Sequence, residues 1–171
     1  MTQSERRLSL ITELKKENRQ YAELPVPLDT AQQKRLLRAL FNVRPPIPCD
    51  AEFLRVQDEY LRKETLQKGV TDFAALTPIR PDIYLWQGDI TTLKCDAIVN
   101  AANSQMLGCF CPNHGCIDNA IHTFAGVELR LACAELMAKQ GHDEPMGQAK
   151  ITPAFNLPCR YVLHTVGPIV G

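Results

Sequence analysis

Apolar residues over the first seventy positions recur at helical spacing, and proline cuts the pattern into three blocks. Residues 4–23 carry Leu8, Ile11 and Leu14 three apart with charges between them, which predicts one helix with a single apolar face. The stretch Leu24-Pro25-Val26-Pro27-Leu28 ends it, because proline lacks an amide hydrogen and restricts the residue before it. Asp29 or Thr30 supplies the cap for a second helix, whose apolar stripe is Leu36, Leu37, Leu40 and Phe41. Arg44-Pro45-Pro46-Ile47-Pro48 breaks the chain again, and a third helix carries Phe53, Val56, Tyr60 and Leu61. No cluster of reactive side chains falls here, so residues 1–70 read as a helical extension packed on the next domain.

From about residue 81 the pattern changes. Ile83-Tyr84-Leu85-Trp86 and Ala97-Ile98-Val99 are short apolar runs rich in β-formers, and both are expected as buried strands. Residues 118–139 place Ile121, Ala125, Leu129, Ala132 and Leu136 on one stripe, which predicts a single helix. Beyond Gly141 and Pro145, residues 149–155 and 161–166 are two more strand candidates. Strand, loop, helix, strand is an α/β signature, so residues 71–171 form the second unit.

Composition narrows the class without choosing the chemistry. Of 171 residues, 45% are hydrophobic and 22% charged, the average of a soluble globular chain. Nineteen basic residues balance nineteen acidic ones, which removes the basic excess expected of a protein that grips a nucleic-acid backbone. No run approaches the roughly 20 apolar residues of a membrane span, and the polar start has no signal-peptide core, so a cytoplasmic location and no membrane partner are expected. Seven cysteines is an odd number, better suited to reduced thiols or metal ligands than to a disulfide framework.

Three of those cysteines fall together. Asn100-Ala101-Ala102-Asn103-Ser104 and then Gly108-Cys109-Phe110-Cys111-Pro112-Asn113-His114-Gly115-Cys116-Ile117-Asp118 lie between a predicted strand end and a predicted helix start. Strand ends that run into helix N-termini are where α/β folds bind ligands, and the free amides and helix dipole there favour an anion. Zinc favours thiolate and imidazole, and Cys109, His114 and Cys116 offer both within one loop that Pro112 and Gly115 allow to fold back. With Cys111 added the site would be a closed, structural Cys₃His; without it, zinc keeps a position open for water or substrate.

Taken together, these motifs resemble a family. Gly88-Asp89-Ile90-Thr91, Asp96-Ala97-Ile98-Val99-Asn100-Ala101-Ala102-Asn103-Ser104, Ile117-Asp118-Asn119-Ala120-Ile121-His122 and Tyr161-Val162-Leu163-His164-Thr165-Val166-Gly167-Pro168 are similar to successive segments of macrodomains, the ADP-ribose-binding fold. Most macrodomains have a glycine run where this chain has its cysteine-rich insert. That insert and the helical extension resemble the zinc-containing microbial macrodomains that hydrolyse protein-linked ADP-ribose.

The resemblance implies a three-layer α/β fold, and it implies roles. Asp89 would accept from the adenine amino group, with the backbone of Ile90 beside it. Asn103 would hold the distal ribose, and Ile117 and Asp118 would lie against the pyrophosphate and that ribose, with Cys116 also in the binding site. Zinc would be held by Cys109, His114 and Cys116, leaving Cys111 outside. Asn103 and Asp118 are then the expected catalytic residues, Asp118 steering water, with His122 either supporting it or packing in the core. The family's second glycine-rich loop, of Ser-Thr-Gly type, has no match here, so the macrodomain is expected to be incomplete at its C-terminus. The implied activity is zinc-dependent removal of mono-ADP-ribose from protein, giving free ADP-ribose. The alternative is a macrodomain that binds ADP-ribose or a related metabolite without turnover. The bland readings are that Asp89 caps a turn and that Asp118 caps its own helix.

Overall fold

The computed structural model describes residues 1–168. Its first part is helical: α1 (Gln3–Glu17), α2 (Arg19–Ala22), α3 (Thr30–Val43) and α4 (Ala51–Lys68). The single helix expected over 4–23 is in fact two. Asn18 leaves helical geometry at φ −136°, ψ 116°, and its side chain accepts from the Gln20 amide at 2.9 Å, so the residue that ends α1 starts α2. Asp29 caps α3 through the Gln32 amide and Asp50 caps α4 through the Phe53 amide. The apolar faces of α1, α3 and α4 close on one another around Leu10, Ile11, Leu37, Leu40, Val56 and Leu61.

After α4 come two short strands, β1 (Thr71–Asp72) and β4 (Leu93–Lys94), which pair in parallel. Between them lies a hairpin of β2 (Pro78–Arg80) and β3 (Ile83–Tyr84). The run Ile83-Tyr84-Leu85-Trp86 was expected as a buried strand and is neither buried nor four residues long. It pairs with β2, and one side stays open: Ile83 is 51% and Leu85 78% exposed, while Tyr84 packs on the Phe73 ring.

The main sheet has the order β5-β7-β6, from β5 (Ala97–Ala102), β6 (Ala149–Pro153) and β7 (Tyr161–Val166). β5 and β7 run parallel, with Asn100 opposite His164, and β6 is antiparallel to β7. Two helices cover one face: α5 (Ile117–Ala125) and α6 (Val127–Gln140). Their core with the sheet is Ile98, Ile121, Leu129, Cys133, Leu157 and Val162. The opposite face shows Val99, Ile151 and Tyr161 to solvent.

The stripe over 118–139 predicted one helix, and the chain breaks it at Gly126. There φ is +99°, open to glycine, and a Cβ would lie 2.7 Å from the Gln57 side chain. Gln57 is fully buried and its carbonyl accepts from the Val127 amide at 2.9 Å, so α4 caps the first turn of α6. This contact joins the extension to the α/β unit.

Candidate active site and metal loop

β5 delivers two asparagines of opposite fate. Alternation turns Asn100 inward, where it is fully buried, and leaves Asn103 exposed just past the strand end. The Asn103 side-chain amide donates to the Gly108 carbonyl at 3.3 Å, and its own carbonyl accepts from Met106 at 3.0 Å. Met106 sits at φ +58° with its side chain buried, and Gly108 at φ +80° passes so close to His122 that a Cβ would lie 2.8 Å from the ring. The chain thus turns tightly out of the sheet and into the cysteine loop.

In that loop the side chains of Cys109, His114 and Cys116 converge, their ligand atoms all within 4.8 Å of one another. Cys111 is exposed and stands outside the group. A tetrahedral zinc, with Zn–S about 2.3 Å and Zn–N about 2.0 Å, draws its ligand atoms to roughly 3.5–4 Å, so a small closing movement would fit the ion. Two sulfurs and one imidazole are also the donor set that zinc prefers. Burial, followed by the neighbouring Cys109, raises the Cys116 thiol above its ordinary range, against a bond from the Asn119 amide.

Cys116 is also the N-cap of α5, its sulfur accepting from the Asn119 amide at 3.4 Å. Asp118 is therefore not the cap. It turns inward, is 5% exposed, and accepts from the Asn100 side chain at 2.7 Å. Burial raises its carboxyl above the ordinary range, while the Asn100 bond and Arg130 work the other way. Asn100 also reaches His164 Nδ1 at 3.1 Å, and His164 Nε2 reaches the Thr152 hydroxyl at 3.0 Å. An Asn100 amide that donates to both Asp118 and His164 leaves the Nε2 proton of His164 for Thr152. His122 approaches Asp118 at 3.5 Å, and burial pushes its pKa well below 6.5, so it is a neutral ring in the core.

The adenine-side residues are placed differently. Asp89 caps the short turn Ile90–Thr92: one carboxylate oxygen accepts from the Thr91 amide at 2.9 Å and from its hydroxyl at 2.6 Å. The other accepts from Lys68 of α4 at 3.0 Å. Partial burial acts to raise this carboxyl, but the bonds from Thr91 and Lys68 outweigh it and the pKa is lowered. Ile90 and Ile117 both pack on the sheet-side core. A cavity of 710 Å³ runs between α3, α4 and α5 with Asn113 and Lys68 among its lining, but Asp89, Asn103 and Asp118 do not line it.

Sequence reasoning singled out Cys109, His114, Cys116 and Asp118, of which the structure brings the first three together, and it missed the groups around them. Asn100 was legible only as the inward member of an alternating strand, and His164 and Thr152 come from strands more than fifty residues further on. Arg130 was also missed. It is 4% exposed and donates to the carbonyls of Leu107 at 2.7 Å, Phe41 at 3.1 Å and Arg44.

A parallel β5–β7 pair under a loop that feeds a helix N-terminus defines a class of ligand-binding α/β domain, and similarity to known proteins makes it specific. A family model described as Macro domain matches residues 99–171. The chain is 60% identical over 175 residues to a protein named Protein-ADP-ribose hydrolase from Treponema medium, covering 100% of this chain and 67% of that protein. It is 51% identical over 160 residues to the protein of the same name from Staphylococcus aureus (strain MRSA252), covering 93% of this chain and 60% of that one. Among solved structures, a Trypanosoma brucei macrodomain in complex with ADP-ribose is 29% identical with a TM-score of 0.52, over 76% of this chain and 59% of that one.

The chain belongs to the macrodomain family, and its homologues at 51–60% identity are named as enzymes, protein-ADP-ribose hydrolases. It spans 67% and 60% of the lengths of the two relatives. Among the described residues, no helix is long and apolar enough to cross a membrane.

Proposed function

We propose that the protein is a zinc-dependent hydrolase that removes mono-ADP-ribose from modified protein side chains and releases ADP-ribose. The observation that carries this reading is the convergence of Cys109, His114 and Cys116 at the start of the helix that bears the buried Asp118. The names of the relatives support the substrate class.

In the reaction, the bond between the distal ribose's anomeric carbon and the protein side chain breaks. The water oxygen takes that carbon, and one water proton leaves with the side-chain group. The transition state is oxocarbenium-like, so the site must place water and hold the ribose. Asn103, exposed where the strand ends, holds the ribose hydroxyls. Asp118 takes the water proton. Its raised pKa suits a base that must later give the proton back, and the Asn100 bond favours the carboxylate and aims it. When bound at Cys109, His114 and Cys116, zinc supplies Lewis-acid polarisation of an oxygen at the reacting sugar. Cys116 and Ile117, at the first turn of α5, lie against the pyrophosphate, where the helix dipole favours an anion.

At the adenine end, the amino group competes with Lys68 for the Asp89 oxygen, with the Ile90 backbone beside it. Reduced thiols at 109 and 116 fit a cytoplasmic protein. The test is release of ADP-ribose from a mono-ADP-ribosylated protein by the full-length enzyme, with and without a zinc chelator. Turnover that stops with chelator and returns with zinc supports the reading. Tight ADP-ribose binding with no release under either condition would leave a binding module in its place.

A further inference from the structure

We propose that α3 of the helical extension is a working part of the metal loop, with Arg38 and Asn42 as positioning residues that hold the loop in its ligand-converged form. The proposal rests on the zinc reading above but on different atoms. Arg38 Nη2 donates to the His114 carbonyl at 3.0 Å, and Nε and Nη2 both donate to Asn119 Oδ1, at 3.1 and 2.8 Å. Asn119, fully buried, passes the restraint on: its side-chain amide donates to the Cys111 carbonyl at 3.0 Å and to the Cys109 carbonyl at 3.5 Å. Asn42, 1% exposed, accepts from the Asn113 amide at 2.9 Å and donates to the Thr123 hydroxyl at 2.9 Å.

Together these bonds pin the backbone at 109, 111, 113 and 114, between and beside the three converging ligands. The pinning is needed because the loop does little for itself. Asn113 stands at φ +56°, a left-handed conformation that asparagine tolerates but does not favour strongly. One backbone bond, His114 to the Cys111 carbonyl at 3.2 Å, closes the turn from within. The anchors come instead from Asn119 of α5 at 109 and 111 and, at 113 and 114, from a helix more than seventy residues earlier, which also holds Asn119. Partners behind metal ligands of this kind typically contribute about 10–100-fold in metal affinity.

The experiment uses the full-length protein stripped of metal, with Arg38→Ala and the conservative Arg38→Lys, which keeps the charge but not the paired donors. Zinc affinity is read by competition with a chromophoric chelator. Amide hydrogen exchange across 109–116 is followed in the zinc-free state, with the urea midpoint as the measure of global stability. Arg38→Ala is expected to weaken zinc about 10–100-fold and to speed exchange in the loop, with the urea midpoint nearly unchanged. Arg38→Lys should fall between the two. Unchanged zinc affinity and loop exchange in folded Arg38→Ala overturn the proposal. So does faster exchange throughout the chain with a matching loss of stability, which marks an ordinary structural contact. If the unmodified protein binds no zinc, the metal reading fails by itself, and loop exchange alone decides whether α3 positions the loop.

Discussion

Two cores lie side by side in this chain and place their buried polar groups differently. The one among α1, α3 and α4 is apolar at its centre, with Leu10, Ile11, Leu37 and Leu61 no more than 2% exposed. Its buried polar groups are tied off in bonds between elements, as Arg7 with Gln33 at 2.9 Å and Arg44 with Glu17 at 2.7 Å. The core between the sheet and α5 buries Asn100, Asp118, His122, Thr152 and His164 within its apolar shell. Buried polar groups left without partners destabilise a fold, so a cluster this dense is retained where it does something that leucine cannot. The first core ties helix to helix; the second aims one buried carboxylate and raises its pKa.

The sharpest way to break that contrast is to remove the charge and keep the shape. Asp118→Asn should lower the single-turnover rate by about 10²–10⁴-fold with ADP-ribose affinity little altered. Calorimetry and rapid-quench measurements on the same preparation check it, and an unchanged rate would make Asp118 a packing residue like those of the first core. In the apolar core the corresponding change is Leu37→Ala, which leaves a cavity at a site 1% exposed. It should cost roughly 2–5 kcal/mol in urea unfolding. The rate of the folded fraction should survive.

The smallest effect concerns pH. Burial holds His164 at about 4 against an ordinary 6.5, and His122 is shifted the same way. The unfolded chain takes up those protons first, so this stability is complete above pH 6.5 and is lost as pH falls toward 4. Asp118, with its raised carboxyl, pulls the other way over the carboxylate range, so the histidine effect is best read between pH 7 and 5.5. Urea midpoints should drop over that interval, and His164→Gln should shrink the drop. Equal drops in both proteins would contradict the assignment.

Legibility in the sequence divides along the same line. The extension's stripes at Leu37, Leu40 and Phe41 are local signals, as is its cap at Asp29 or Thr30, and the structure has the stripes and puts the cap at Asp29. Asn18 and Gly126 look harmless inside helical stripes, yet each breaks a helix. One does so through its own side chain and the other because Gln57 from α4 needs its space. The exposed Ile83 run shows the converse, an apolar segment whose pairing partner decides its burial. At the site, the cysteine loop is legible because Cys109, His114 and Cys116 are close in sequence. The Asn100–His164 contact depends on β5–β7 register, and the Arg38 contact on docking of the extension, neither of which a local pattern encodes.

The central claim is that zinc, which we propose binds at the loop, serves the breaking of the bond rather than the holding of the product. The direct measurement sets the single-turnover rate against ADP-ribose affinity in Cys116→Ala and His114→Ala of the full-length protein, with circular dichroism to confirm folding. The account predicts a rate that collapses while affinity falls only slightly, because the contacts proposed for Asp89 and the loop backbone do not need the metal. A rate and an affinity that fall together in a well-folded variant would contradict it.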